Sequence, residues 1–237
     1  MYDWNDILIV GDSFCSGRYY AHEWPQLLTC ALTGQQYNEK RTPRGHGFSG
    51  ASWWSARRCI IDELNTCPPV KVLIVCHTDA HRIPSDDNHS LNSVSVEHRW
   101  LHQEHGRTGK AWPRDAFAAS DLMPERMALA GKLYYEQLIS RSFNEWAVKR
   151  WFLELEEIVD KSFTIEKSIH LFCFDGDFHV FKNGVTVEDT LSKHRSRIEV
   201  SNHFDHSDNF RLAKTLQKIL DNYPGKGQCY TESILGE

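Results

Sequence analysis

Ser13 is the first residue in the chain whose type and position suit nucleophilic chemistry. An apolar run from Ile7 to Val10 leads directly into Gly11-Asp12-Ser13. Such a run, ended by a glycine, predicts a strand that is buried on both faces, as in a parallel sheet. Ligands of these sheets bind outside the carboxyl ends of the strands, where Ser13 falls. The tripeptide also fits a second interpretation, a turn in which Asp12 or Ser13 caps the next helix.

Other segments of the chain favour the first interpretation. Gly-Asp-Ser after a first strand resembles block I of the SGNH (GDSL-type) hydrolases, and four more segments resemble that family in the same order. These are His22 to Leu28 (first helix), Gly47 to Ser52 (block II), Val72 to Asp79 (block III) and Asn202 to Asp205 (end of block V). Their order and spacing are more specific than any single motif.

The resemblance implies a serine esterase in which Ser13 is the nucleophile. The backbone N–H groups of Ser13 and Gly50 would be two donors of the oxyanion hole. The third donor in the family is an Asn side chain, and Thr78 stands at that position. Loss of one such donor costs on the order of 10²–10³ in rate. The substitution therefore predicts a weaker enzyme, a hole completed by His77 or Arg82, or an inactive protein.

The general base that the resemblance implies is His203, which stands just before the start of the final helix. His206 is the alternative base in the same segment. The family's acid precedes its histidine by three residues, and here that position is Val200. Glu199 or Asp205 would then orient the imidazole, or a backbone carbonyl would do so and leave a Ser-His dyad. An orienting carboxylate contributes up to ~10⁴ in rate in serine proteases.

Metal and phosphate sites are the competing chemistries, because the chain has 13 histidines and a glycine-bounded first loop. Two groups of histidines have spacings that suit two ligands on one face: His77 with His81, and His98 with His102 and His105. Neither group has the Cys or carboxylate pattern of a recognisable metal site. The loop from Gly11 to Gly17 lacks Gly-x-x-x-x-Gly-Lys. The sequence therefore predicts no metal and no cofactor.

The positions of these residues require a parallel sheet with helices packed against it. Apolar patterns predict strands up to Val10, at Val70 to Cys76 and at Ile169 to Phe174, and helices at Trp24 to Leu32, Ala51 to Leu64 and from Asp205 or Ser207 to Tyr223. Lys182 to Val185 is typical of a hairpin tip. The resemblance implies a short second strand within residues 35–44. We expect a flavodoxin-like three-layer α/β/α sandwich with a mainly parallel sheet.

The resemblance implies a single SGNH hydrolase-like domain, 1–237, with a mostly helical insertion at about 84–166. Its first part is polar and without periodicity, which predicts a long surface excursion. Its second part predicts two helices that meet near Arg141, because Ser142 to Glu145 fits a capping box. An insertion after the third strand emerges near the active-site edge. It is therefore a candidate lid, partner surface or self-association surface.

Composition limits the partners and the compartment. The net charge of −5 gives no global attraction to nucleic acid or to an anionic membrane. No run of about 18 apolar residues predicts a membrane span, and the first residues lack the basic region of a signal peptide. The seven cysteines are scattered, with no C-x-x-C pair. We expect a reduced, cytoplasmic protein without a disulfide framework.

The resemblance implies hydrolysis of a carboxylic ester through an acyl-enzyme. The resemblance implies a small ester or an acylated carbohydrate as the substrate. The alternative is a weak or inactive protein with an SGNH fold that serves as a structural or partner-binding component. Thr78 and Val200 favour the alternative, whereas Ser13, Gly50 and His203 favour the enzyme.

Overall fold

The structure is a computed structural model, and it describes eleven parts of the chain. These are residues 2–15, 23–36, 38, 43–45, 47–48, 51–66, 68–82, 129–131, 133–174, 178–194 and 204–235.

A parallel β-sheet forms the centre of the protein. Its strands are β1 (Ile7–Asp12), β2 (Gly47–Phe48), β3 (Val72–His77), β4 (Lys167–Phe172), β5 (Val185–Thr190) and β6 (Gln228–Tyr230). The strand order is β2-β1-β3-β4-β5-β6, and every neighbouring pair is parallel. Five strands, β1 and β3 to β6, pair continuously. The two residues of β2 add to the outer side of β1.

Helices cover both faces of the sheet, as the unbroken apolar runs of β1 and β3 require. The helices are α1 (Trp24–Thr33), α2 (Trp53–Thr66), α3 (Arg141–Lys161) and α4 (His206–Asp221). Alternate strand residues such as Ile9 and Ile74 pack with buried residues of α1 and α4. Their neighbours Leu8 and Leu73 pack with α2 and α3. This arrangement is an α/β fold consistent with the flavodoxin-like expectation.

Several predicted elements are confirmed, with small shifts of their ends. Helix α1 begins at Trp24 with Pro25 in its first turn, and it is ended by Gly34 in the left-handed conformation (φ 67°). Strand β3 begins at Val72, two residues after the predicted start. Helix α4 begins at His206, because the Asp205 side chain caps it.

One prediction on strand pairing was wrong. Lys182 to Val185 does not form a hairpin tip, because β5 runs parallel to β4 and a hairpin joins antiparallel strands. The turn residues of Lys182 to Val185 do not indicate whether the following strand pairs parallel or antiparallel. The expected second strand within 35–44 falls partly on residues outside the described ranges. Among the described residues, Gly47–Phe48 forms the strand beside β1, and Arg44 forms an isolated bridge with Leu8.

Helix α3 occupies the second part of the predicted insertion. Its N-cap is Ser140, whose Oγ accepts from the Phe143 N–H at 3.3 Å. The cap therefore lies two residues before the predicted box, although the junction is near Arg141 as expected. Apolar residues of α3, among them Trp151 and Leu155, pack on the sheet as a core layer. In the described part of the chain, no helix combines the length and the apolar character needed to cross a membrane.

Candidate active site

The carboxyl ends of β1 and β3 meet where the strand order changes direction. The chain goes from β1 to β2 on one side and then returns to β3 on the other side. Open parallel sheets form their ligand crevice at such a switch point. Asp12 ends β1, and Thr78 directly follows β3. The residues of the block I and block III motifs therefore meet at the position that favours a binding site.

The Asp12 carboxylate is fully buried, accepts three hydrogen bonds and forms one ion pair. Its Oδ1 accepts from the Phe14 N–H at 3.0 Å and from the Cys173 thiol at 3.2 Å. Its Oδ2 accepts from the Thr78 hydroxyl at 3.1 Å and pairs with Arg82 Nη1 at 3.2 Å. A buried carboxylate requires such compensation, because its desolvation is otherwise very costly. We call Asp12, Thr78, Arg82 and Cys173 the Asp12 cluster.

Burial also explains why a thiol donates in this cluster. Desolvation raises the pKa of Cys173 well above its ordinary value, and the nearby Asp12 charge raises it further. Cys173 therefore stays protonated at neutral pH, and its S–H is available to Asp12. At the carboxyl ends of β1 and β3, the Asp12 carboxylate is therefore in contact with one cation, Arg82, and with two neutral donors, Thr78 and Cys173.

Two glycines allow the backbone to close around Asp12. A Cβ on Gly11, whose φ is +154°, would lie 2.6 Å from the Cys76 carbonyl oxygen. A Cβ on Gly47 would lie 1.7 Å from the Asp12 carbonyl oxygen. Both positions therefore require glycine, because the ends of β1, β2 and β3 approach more closely than a side chain permits.

Ser13 begins the 3₁₀ turn Ser13–Cys15, whose backbone the structure describes. The bond from the Phe14 N–H to Asp12 shows that Asp12 also supports this turn, as the second interpretation of the tripeptide predicted. The Trp24 indole N–H donates to the Phe14 carbonyl at 2.6 Å, which joins the turn to the start of α1.

The N-terminus of α4 lies against this turn. The Phe14 and Phe204 rings pack edge to face, with their centroids 5.7 Å apart. Asn209 joins α4 to α1, because its Oδ1 accepts from the Trp24 N–H at 2.9 Å. Its Nδ2 donates to the carbonyls of Phe204 at 3.2 Å and Asp205 at 2.9 Å. The residue after Ser13 is therefore in contact with the residue after His203.

Asp205 acts as the N-cap of α4. Its Oδ1 accepts from the Asp208 N–H at 2.8 Å and from the Ser207 hydroxyl at 2.9 Å. These hydrogen bonds, the one from Asp208 first, lower the pKa of Asp205. Its carboxylate is therefore an acceptor for the helix end, whatever further role it has toward an imidazole. His206 is exposed in the first turn of α4.

His77 has a different environment from Thr78, although the two residues are consecutive. His77 Nε2 lies 3.1 Å from His170 Nδ1, and both rings are buried. Phe181 stacks on both of them, and Phe152 packs on His77. Desolvation, with a smaller effect of His179, lowers the pKa of His77 to about 3. We call His77, His170, Phe152 and Phe181 the histidine cluster.

The other predicted site residues have no described side-chain geometry. Gly50, Glu199, Val200 and His203 lie outside the described residues, and of Ser13 only the backbone is described. The predicted roles of these residues and of Thr78 remain predictions. Among the described residues, no group of three or more His, Cys, Asp or Glu side chains could hold a metal ion.

Sequence reasoning missed the partners that hold the site together. Cys173 lies in the strand predicted at Ile169 to Phe174, and neither its thiol nor the Asn209 side chain is among the predicted site residues. A signal for Asn209 exists in the sequence, because it is a polar residue beside Phe210 in the first turn of an amphipathic helix. Its partner Trp24 lies 185 positions away in the chain, which no local pattern reveals.

No family model, no curated protein and no solved structure matches this chain. The resemblance to SGNH hydrolases therefore depends on the motifs and is weighed against the geometry alone.

Proposed function

We propose that this protein is an SGNH-type serine esterase with Ser13 as the nucleophile and His203 as the general base. The observation that carries the proposal is the contact between Phe14 and Phe204 beside the buried Asp12. Phe14 directly follows Ser13 and Phe204 directly follows His203 in the chain, and this adjacency supports the pairing of the two candidate residues.

The residues around this contact suit acyl transfer. A nucleophilic serine needs a base within hydrogen-bond reach and fixed donors for the oxyanion. The hydrogen bonds of Asp12, Trp24 and Asn209 fix the turn of Ser13 and the start of α4 relative to each other. Fixed backbone is what positioning within a fraction of an ångström requires. Gly50 directly precedes Ala51, whose carbonyl contacts Arg82 in the same cluster.

The proposed substrate class is a carboxylic ester with a small acyl group, including an O-acetylated carbohydrate. This class comes from the family resemblance. The resemblance also supports an SGNH hydrolase-like domain with an insertion at about 84–166. Helix α3, which falls in this range, packs on the sheet.

The decisive experiment combines a fluorophosphonate probe with hydrolysis of p-nitrophenyl acetate. We expect the probe to label Ser13, and Ser13→Ala to abolish both labelling and turnover. The matched serine control is Ser162→Ala, since Ser162 directly follows the end of α3. This variant should retain both labelling and turnover. Turnover that is unchanged in Ser13→Ala would refute the proposed nucleophile.

The base is tested by comparing His203→Ala with His206→Ala. We expect a loss of roughly 10⁴-fold or more in kcat for His203→Ala, because the serine loses its proton acceptor. His206→Ala should change kcat by less than about tenfold, since His206 is exposed. The reverse pattern would assign the base to His206. A folded protein that neither reacts with the probe nor hydrolyses the ester would favour the partner-binding alternative.

A further inference from the structure

We infer that Arg82 is a catalytic residue, whose guanidinium supplies the third donor of the oxyanion hole. The inference rests on the proposed function and identifies the group that replaces the family's Asn amide. Three groups compete for this role at the end of β3: the Thr78 hydroxyl, the His77 ring and the Arg82 guanidinium.

The Thr78 hydroxyl already has an acceptor. A threonine side chain has one O–H donor, and here it donates to Asp12 Oδ2 at 3.1 Å. Turning this proton toward a substrate would remove one of the three hydrogen bonds of a fully buried carboxylate. Hydrogen bonds to charged groups are stronger than those between neutral groups, so the hydroxyl is held in place.

The contacts of the His77 ring differ from those of Asp12, which bonds to Thr78 and Cys173. Side chains alternate across a strand, and His77 points with Leu73 and Val75 toward α3. Its Nε2 is engaged with His170 Nδ1, and aromatic rings enclose it. It therefore cannot donate to a group bound beside Ser13.

The Arg82 guanidinium contacts the neighbours of both backbone donors. Its Nη1 lies 3.2 Å from Asp12 Oδ2 and donates to the Ala51 carbonyl at 3.0 Å. Asp12 directly precedes Ser13, and Ala51 directly follows Gly50. The Phe174 ring lies under the guanidinium, with Cζ 5.1 Å from its centroid. The cation is thus held between the two segments that would form the hole.

Enough donors remain on Arg82 to bind an oxyanion. A guanidinium has five N–H groups, and Nη1 accounts for two of them. Nε and Nη2 make no hydrogen bond to the other residues that the structure describes. The side chain is only 9% exposed, so these N–H groups are held rigidly instead of being solvated in bulk water. Donors that are fixed before the reaction stabilise developing charge most effectively.

The proposed step places the new charge on this side chain. Ser13 Oγ forms a bond to the carbonyl carbon of the ester and gives its proton to His203. The π electron pair of the carbonyl moves to its oxygen, which accepts N–H bonds from Arg82, Ser13 and Gly50. When the pair returns, the bond to the alcohol oxygen breaks, and that oxygen takes the proton from His203.

The first test is Arg82→Lys, which keeps a cation beside Asp12. An ammonium lacks the planar fork and cannot hold Asp12 and Ala51 while also reaching an oxyanion. We expect kcat and the rate of fluorophosphonate labelling to fall together by on the order of 10²–10³, with KM changed by less than about threefold. A residue that only supports the fold would not produce this separation of kcat from KM.

The matched control is Arg57→Lys. Arg57 also pairs with a carboxylate, at 2.7 and 2.6 Å from the two oxygens of Glu154, but it joins α2 to α3 away from Asp12. We expect its kcat to stay within about threefold of the unsubstituted protein.

The second test leaves Arg82 in place and therefore does not depend on folding of the lysine variant. If Arg82 supplies the third donor, Thr78→Asn adds an amide to a hole that is already complete. We expect kcat to be unchanged or reduced. An increase approaching ~10² would show that the third donor was missing, and would overturn the inference.

The two proposals fail in distinguishable ways. If the unsubstituted protein is labelled at Ser13 and Arg82→Lys is labelled at the same rate, the esterase stands and the role of Arg82 is refuted. If the folded unsubstituted protein is not labelled at all, the proposed function fails, and the role of Arg82 fails with it.

Discussion

Two polar clusters lie at the end of β3, and the consecutive residues His77 and Thr78 belong to different ones. One cluster is charged and the other is neutral. The Asp12 cluster contains an ion pair, and its donors converge on one carboxylate. The histidine cluster contains two rings that burial keeps neutral. His77 faces α3, whereas Thr78 contacts Asp12, the residue before Ser13.

The difference shows that residue type alone does not identify a site. Histidines with strongly shifted pKa values are common in active sites. In this protein desolvation causes the shift of His77, and its neighbours are aromatic rings. Such a ring takes no proton near neutral pH and has no room for a substrate. The Asp12 cluster has no histidine, but it fixes a cation beside the candidate nucleophile.

The largest expected effect comes from removing the charge of the Asp12 cluster. Asp12→Asn leaves Arg82 buried without its partner, which should lower the free energy of unfolding by about 3–5 kcal/mol. Urea denaturation measures the change. Glu157→Gln, in the exposed pair with Lys161 on α3, is the control and should cost less than about 1 kcal/mol. Equal effects of the two substitutions would show that the Asp12 pair is not a buried charge pair.

The histidine cluster should make stability depend on pH. The pKa of His77 is lowered from 6.5 to about 3, so the folded state stays neutral while the unfolded state takes up a proton below pH 6.5. The stability that the neutral His77 contributes is therefore complete above pH 6.5 and is lost as the pH falls toward 3. At pH 5 the loss is about 2 kcal/mol for each such histidine.

The test compares denaturation midpoints between pH 8 and pH 5. His77→Gln combined with His170→Asn keeps hydrogen-bonding atoms near the two ring nitrogens and removes both titrations, so it should flatten the pH dependence. Phe181→Leu, in the same cluster, should lower stability equally at every pH and keep the slope. A double variant with the slope of the unsubstituted protein would contradict the assignment.

The smallest effect comes from two threonines: Thr78 of the Asp12 cluster, and Thr186, which contacts Phe181 of the histidine cluster. The Thr78 hydroxyl donates to Asp12, and the Thr186 Oγ1 accepts from the Phe181 N–H at 2.9 Å. Thr78→Val and Thr186→Val should each lower the free energy of unfolding by about 1–3 kcal/mol. Only Thr78→Val should also lower kcat, because it disturbs the Asp12 cluster. An equal loss of kcat in both variants would remove the functional distinction between the clusters.

The sequence predicts most of the regular elements, because their signals are local. The apolar runs before Gly11 and up to Cys76 indicate buried strands, and Gly34 and Asp205 mark helix ends. Strand β5 escapes this reasoning, because Val185–Thr190 includes two acidic residues and follows a turn typical of a hairpin. Its parallel pairing with β4 is a property of the whole sheet.

The candidate site is predictable only in part, for a similar reason. Ser13 and Thr78 follow from motifs at strand ends. The arrangement of their partners depends on contacts between distant segments, such as Cys173 with Asp12 and Phe14 with Phe204. The resemblance alone leaves open whether the oxyanion hole lacks a third donor or is completed by His77 or Arg82. The hydrogen bond of Thr78 to Asp12 and the contacts of Arg82 favour Arg82.

The lengths of the strands bear on how the sheet resists aggregation. The inner strands β1, β3, β4 and β5 have six residues each, whereas the outer strands β2 and β6 have two and three. An edge strand presents unpaired backbone groups on which another chain can build cross-β structure, and very short edge strands limit that growth. Within the described residues, the long apolar strands are therefore shielded by short ones, which offer little backbone for a strand from another molecule to extend.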